Sequence, residues 1–204
     1  MKTRMSTTAP LTPPFFLAMA PDEPTTVHQS TLVERARAGD ASAWEALYRA
    51  LYPKLLAYAG RRLDPDAARD AVSEAMARAV ARIERFTWEG GGFDAWLFAI
   101  LRNVVVDAQR AAAHRAPEAE IDEAPASGPG PLDCLLGAEA SSALREAFAR
   151  LPPFDQEVLE LRVVAGLSSD EVAKVVGKRA GTVRMAQARA LARLREMLED
   201  ADER

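Results

Sequence analysis

Apolar residues recur along this chain at the three- and four-residue spacing of amphipathic helices. Leu32, Val33, Ala36 and Ala38 open the pattern after Thr31. A Gly39–Asp40 break follows, where glycine ends one helix and aspartate caps the next. Trp44, Leu47, Leu51, Leu55 and Tyr58 carry the periodicity on, with Pro53 expected to kink or divide the segment. Asp64–Pro65 is a second start signal, an N-cap followed by proline in the first turn. It leads an alanine-rich helix through Val72, Met76, Val80 and Ile83. The stretch Phe86 to Asp94 interrupts, because three consecutive glycines (Gly90, Gly91, Gly92) sit poorly in a helix. A further helix is expected from about Ala95 to His114. Apart from Val104 to Val106, no run of β-branched residues competes, so the expected fold is all-α.

Punctuation divides these helices into modules. Prolines at positions 10, 13, 14, 21 and 24 make residues 1–30 an expected disordered leader. Its apolar stretch from Leu11 to Ala20 is too short and too broken by Pro13 and Pro14 for a secretory signal. Residues 116–137 read as a flexible tether, with Pro117, Pro125, Pro129 and Pro131 among Glu118, Glu120, Asp122 and Glu123. Such a segment buries too little apolar surface to offset its ordering entropy. Two helical domains are therefore expected, over 31–115 and 138–198, with a short tail over 199–204.

Composition narrows the chemistry. The 204 residues are 49% hydrophobic and 27% charged, the balance of a folded globular chain. No eighteen-residue apolar run exists to span a membrane, and the expected location is cytoplasmic. The lone Cys134 excludes an internal disulfide or a cysteine-cluster zinc site, and His28 and His114 stand far apart. No cofactor and no catalytic role is expected. The net charge of −4 conceals an asymmetry: Lys174, Lys178, Arg179, Arg184, Arg189, Arg193 and Arg195 form a wholly basic stretch in an otherwise acidic chain. That is a local footprint for nucleic acid.

The basic stretch has an ordered frame. Ser168 and Glu171 have capping-box spacing ahead of Val172, Ala173, Val175 and Val176, and Gly177 stops that short helix. A second helix from about Gly181–Thr182 completes a helix-turn-helix. At about 100° per residue, Val183, Ala190 and Leu194 share an inward stripe. Arg184, Ala188 and Arg195, with Met185 and Arg189 beyond, form a wet face able to enter a major groove. In the helix from Ala95, Trp96, Asn103, Asp107 and Arg110 share one face, while Leu97, Leu101, Val104 and Ala108 share another. An aromatic, an amide and an arginine together can stack on and bond to single-stranded bases.

Together these segments resemble a group IV, extracytoplasmic-function (ECF) sigma factor of the bacterial sigma-70 family. TLVERARAGDASAWEALYRALYPKLLAYAGRRL and the helix after Asp66 resemble the start of its sigma-2 domain; FDAWLFAILRNVVVDAQR resembles its promoter-melting segment. Leu151-Pro152-Pro153 through Leu194, with GLSSDEVAKVVG and GTVR, resembles its sigma-4 domain. The resemblance implies a subunit that directs core RNA polymerase to promoters, docking on the β′ clamp helices and β flap. It implies polymerase contacts at Asp70, Glu74 and Arg78. It implies minus-ten DNA contacts at Phe86, Trp88, Phe93, Trp96, Asn103 and Arg110, with the 86–93 loop capturing a flipped base. It implies minus-thirty-five contacts at Lys178, Arg179, Thr182, Arg184, Met185, Ala188 and Arg189. This branch commonly has an anti-sigma partner.

Departures from the family pattern are also visible. Ser73 stands where glutamine often precedes the docking-helix glutamate, the loop has an extra glycine and Trp88, and Arg179 replaces a better N-cap. Ala186 stands where many members carry a basic residue, which removes an expected base contact. Two rival readings are a free-standing helix-turn-helix regulator and a nuclease using Asp64, Asp66, Asp70 and Glu74. The first leaves the glycine loop unused; the second has no neighbouring histidine or nucleophile.

Overall fold

The computed structural model describes residues 23–88, 91–115 and 142–202. The tether expected over 116–137 and leader residues 1–22 lie outside them. Helix α1 spans Glu23–Arg37, so it opens eight residues before Thr31 and takes residues 23–30 out of the expected leader. Pro24 is no obstacle there, because a proline in the first helical turn removes only an amide that lacks a partner anyway.

Helix α2 spans Ala41–Gly60. Asp40 caps it, its carboxylate accepting from the Ser42 and Ala43 amides at 2.9 and 3.3 Å. The helix runs unbroken through Pro53, so the proline does not divide it. Leu47 and Leu51 before the proline and Leu55 and Tyr58 after it are all buried, so packing anchors both halves against the loss of one ladder bond.

Helix α3 spans Pro65–Arg82, with Asp64 accepting from the Asp66 and Ala67 amides at 3.1 and 3.0 Å. Ala68, Ala71, Val72, Ala75, Met76 and Ala79 form its buried face. These small side chains let α3 lie close against α4, Phe93–Arg115, which starts two residues ahead of expectation. Val80, expected in the packing stripe, is half exposed, because Ala79 takes the inward position. A 3-10 turn, Ile83–Arg85, ends the α3 segment.

The C-terminal part comprises α5 (Ser142–Ala149), α6 (Pro153–Leu159), a π-turn (Glu160–Val164), α7 (Ser169–Val176) and α8 (Ala180–Asp202). No strand occurs among the described residues, in line with an all-α fold. Two separate cores do not follow. Val158, Leu161, Leu167, Val172, Val176 and Val183 belong to the same contiguous apolar cluster as Leu55, Val72, Phe98 and Leu101. Helix α4 packs against α3, α2 and α7, and Phe98, Ile100 and Val105 are buried beyond the stripe its periodicity predicts. A smaller cluster of Phe148, Leu151, Leu159 and Ala190 lies under α5, α6 and α8.

Because Asp64 satisfies two otherwise orphaned amides, Asp64→Ala should cost about 1 kcal/mol of unfolding free energy. A urea melt followed by circular dichroism measures it, and an unchanged midpoint would remove Asp64 from the cap.

Candidate nucleic-acid interface

The first candidate surface is built where α3 gives way to α4. Phe86 follows the 3-10 turn, and its ring meets Trp88 at 4.9 Å and Phe93 at 5.6 Å, both edge-on, and Trp96 at 5.3 Å. Trp44 from α2 closes on Phe93 at 6.3 Å. Phe86 and Phe93 are buried, at 3% and 0% exposure, whereas Trp88 is 37% exposed and Trp96 half-buried. The two phenylalanines are thus an aromatic floor and the two tryptophans its rim. Phe86 and Phe93 each meet three other rings, two edge-on and one tilted, which holds both in place beneath the tryptophans.

Backbone contacts fix this platform. Arg37, at the end of α1, donates from Nη2 to the Phe86 carbonyl at 2.6 Å. Asp94 joins α1 and α2 to the start of α4, accepting from Gln29 and lying 4.0 Å from Lys54 Nζ. Burial pushes the Asp94 carboxyl up, against the lowering pull of Lys54 and Gln29. Gly91 has φ +149°, a conformation L side chains rarely adopt. A side chain there would also meet Glu171 Cγ at 3.3 Å. Further along α4, Asn103 is exposed; Arg110 is exposed beside Asp107, 3.8 Å away.

The second surface is the outer side of α3. Asp70 and Glu74 are exposed one turn apart, and Arg78 donates to Glu74 Oε1 at 2.7 Å. Val80 adds an exposed apolar group to this helix. Asp64 is engaged as a cap, and among the described residues no group of three or more His, Cys, Asp or Glu side chains is placed to hold a metal.

The third surface is α7–turn–α8. Ser168 and Glu171 form a reciprocal capping box, and Gly177 ends α7 in the left-handed region at φ +67°. The Lys178 amide then donates back to the Ala173 carbonyl at 2.8 Å, turning the chain sharply. The Arg179 carbonyl accepts from the Thr182 and Val183 amides as α8 begins. Val183, Ala186 and Ala190 are fully buried. Lys178, Arg179, Thr182, Arg184, Met185 and Ala188 are exposed, Met185 by 60%. Ala186 faces the core, so a basic residue there would be buried, and its supposed missing base contact is no loss. Arg189 is exposed yet tied, at 3.3 Å, to Asp155, which Arg193 also approaches at 3.2 Å. Asp155, 2% exposed on α6, is the residue the sequence left unmarked: its partners lie 34 and 38 residues away.

The Sigma-70 region 2 family model matches residues 47–115, and the Sigma-70, region 4 model matches residues 141–194. The chain is 36% identical over 193 residues to the ECF RNA polymerase sigma factor ShbA of Streptomyces griseus, covering 89% of this chain and all of ShbA. The chain belongs to the ECF sigma factors of the sigma-70 family. Its work is promoter-specific transcription initiation, as a specificity factor for RNA polymerase.

Other similarities agree. The match to the ECF sigma factor BldN of Streptomyces coelicolor is 38% identical, over 83% of this chain and 65% of BldN; the chain thus spans just under two thirds of that relative's length. Among solved structures, CnrH in complex with the cytosolic domain of CnrY shares the fold at a TM-score of 0.58 and 23% identity, covering 84% of this chain and 97% of CnrH. RpoE in complex with the anti-sigma factor NepR, from Bartonella quintana, matches at a TM-score of 0.57 and 25% identity, over 76% of this chain and 96% of RpoE. In this sigma factor the region 2 match takes in α3, the aromatic platform and α4, and the region 4 match takes in the helix-turn-helix. No helix among the described residues is long and apolar enough to cross a membrane.

The division into floor and rim has a stability signature. Phe93→Ala should cost about 3–5 kcal/mol, as for a large buried aromatic, while Trp88→Ala should cost well under half of that. Thermal unfolding of the two variants separates them; equal losses would place Trp88 in the core.

Proposed function

We propose that this sigma factor docks on core RNA polymerase through α3, by Asp70, Glu74 and Arg78, and reads promoter DNA with two other surfaces. Trp88, Trp96, Asn103 and Arg110 engage the melted minus-ten strand, over the floor that Phe86 and Phe93 provide. Lys178, Arg179, Thr182, Arg184, Met185, Ala188 and Arg189 engage the minus-thirty-five duplex. The chain makes and breaks no bond; it acts in the cytoplasm on promoter bases upstream of those that the polymerase copies. Base stacking on an aromatic is worth about 1–3 kcal/mol, enough for two tryptophans to bias a strand toward the open state. Phosphate contacts by α8 position the duplex, and its base contacts specify sequence.

The observation that carries this reading is the aromatic rim, Trp88 exposed and Trp96 half-buried over a buried floor, with an exposed amide and arginine further along the helix of Trp96. A free-standing duplex-binding regulator has no use for it. An anti-sigma partner is also part of the proposal, since CnrH and RpoE were each captured with one or with a cytosolic partner domain.

Run-off transcription with purified core polymerase on genomic fragments tests the whole reading. Promoter-dependent starts are expected, and their absence with correctly folded protein would overturn it. Glu74→Lys should abolish retention of the chain by core polymerase at unchanged helicity; retention at the wild-type level would free Glu74 of the docking role. Arg184→Ala should weaken promoter binding by the holoenzyme and reduce the slope of log affinity against log salt by about 1. An unaltered slope together with unaltered sequence preference removes Arg184 from the interface.

A further inference from the structure

Asp155 is a buried acid with no local reason to be buried. It sits in the first turn of α6, where a carboxylate is favoured by the helix amides, but an exposed acid would serve that end equally well. Its side chain is 3% exposed, and burying a carboxylate is costly unless it is paired. Its two oxygens go to two residues of α8, one turn apart. Oδ1 accepts from Arg189 Nη2 at 3.3 Å and Oδ2 from Arg193 Nη1 at 3.2 Å.

This pairing is not what docks α8. Val183, Ala186 and Ala190 are buried on its inner side, and Phe148, Leu151 and Leu159 pack with Ala190. Gln187 adds a separate polar tie, accepting from Arg162 Nε of the π-turn at 3.0 Å. The helix is held without Asp155, whose charge therefore acts on the two arginines themselves.

Their place on α8 shows what they would otherwise do. At about 100° per residue, Arg189 and Arg193 lie about 40° apart, on the flank between the exposed Ala188 and the buried Ala186 and Ala190. A helix seated in a major groove turns that flank toward a phosphate wall. Arg193 is also about 20 Å along α8 from its start at Ala180, beyond the groove's width of about 12 Å. A cation there meets phosphate only, and phosphate contacts bind every sequence alike. Both side chains are about half exposed, so without Asp155 they are free to swing outward.

We propose that Asp155 is a positioning residue that sets the specificity of the minus-thirty-five surface. It withdraws Arg193 from phosphate and fixes the direction of Arg189, so that sequence governs binding by α8 more than bulk charge does. Arg189 keeps Nε and Nη1 for the duplex while Nη2 stays with the carboxylate. The inference rests on the assignment of α8 to the minus-thirty-five duplex.

The test uses holoenzyme reconstituted from core polymerase and the full chain, with two fluorescein-labelled duplexes of equal length. One is a promoter fragment recovered by run-off, the other a mixed-sequence control, and anisotropy reads affinity across a range of potassium chloride. Asp155→Asn keeps the shape of the side chain and removes its charge. It should steepen the slope of log affinity against log salt on the control by about 1, as one more phosphate is neutralised. The ratio of promoter to control affinity should fall roughly fivefold, because Arg189 loses its fixed direction at the promoter. Arg193→Gln should leave the wild-type slope unchanged yet cancel the steepening in the Asp155→Asn background, a coupling that a merely structural Asp155 does not produce. Equal slopes and equal ratios in wild type and folded Asp155→Asn overturn the proposal. If Asp155→Asn fails to fold, Arg193→Gln alone decides: an unchanged slope upholds the withdrawal of Arg193, and a slope shallower by about 1 overturns it. Run-off by the wild-type holoenzyme tests the proposed function separately. Promoter-dependent starts that persist while the slopes ignore Asp155 leave that function standing without this inference.

Discussion

Glu160 is the charge on which the joined arrangement turns. It is almost wholly buried in the π-turn after α6, facing Arg61 and Arg62 at the end of α2. Burial works against the Arg62 charge, yet Glu160, Tyr58 and Glu157 more than restore it. One oxygen of Glu160 lies 2.7 Å from Arg62 Nη2. Such a buried pair adds little net stability relative to apolar packing, but losing one partner costs about 3–5 kcal/mol, because it strands a charge. The two arginines are further tied down over aromatic faces, Arg62 at 3.8 Å from the Tyr58 centroid and Arg61 at 4.5 Å from Phe148.

The surfaces that face outward depend on what is hidden behind them. Trp88 and Trp96 owe their positions to the buried rings of Phe86 and Phe93. The recognition helix α8 owes its orientation to Val183, Ala186 and Ala190 on its inner side and to Asp155 beneath Arg189 and Arg193. Asp155 divides the basic stretch into two populations: arginines that neutralise a buried acid and arginines turned wholly to solvent. Raw charge along the sequence does not distinguish them.

Much of the local structure was legible from residue order. Asp40, Asp64, Ser168–Glu171 and Gly177 mark helix ends through chemistry confined to four or five residues, and the folded chain uses each of them in that way. The readings that failed involve distance. Pro53 does not break α2 because buried leucines flank it; Val80 faces solvent because Ala79 takes the inward position. The burial of Phe86 and Phe93, by contrast, comes from Trp44, Trp88 and Trp96, which local spacing does not place around them.

What the sequence by itself determined is therefore the helices, their caps, the helix-turn-helix and the family, because each depends on short spacing and residue type. Only tertiary structure decided which aromatic is floor and which is rim, which arginine is already spoken for, and that the Glu171 carboxylate serves both the α7 cap and the distant Gly92 amide. Those facts depend on side chains brought together across tens of residues, where burial and charge pairing, neither encoded in local periodicity, set the energies.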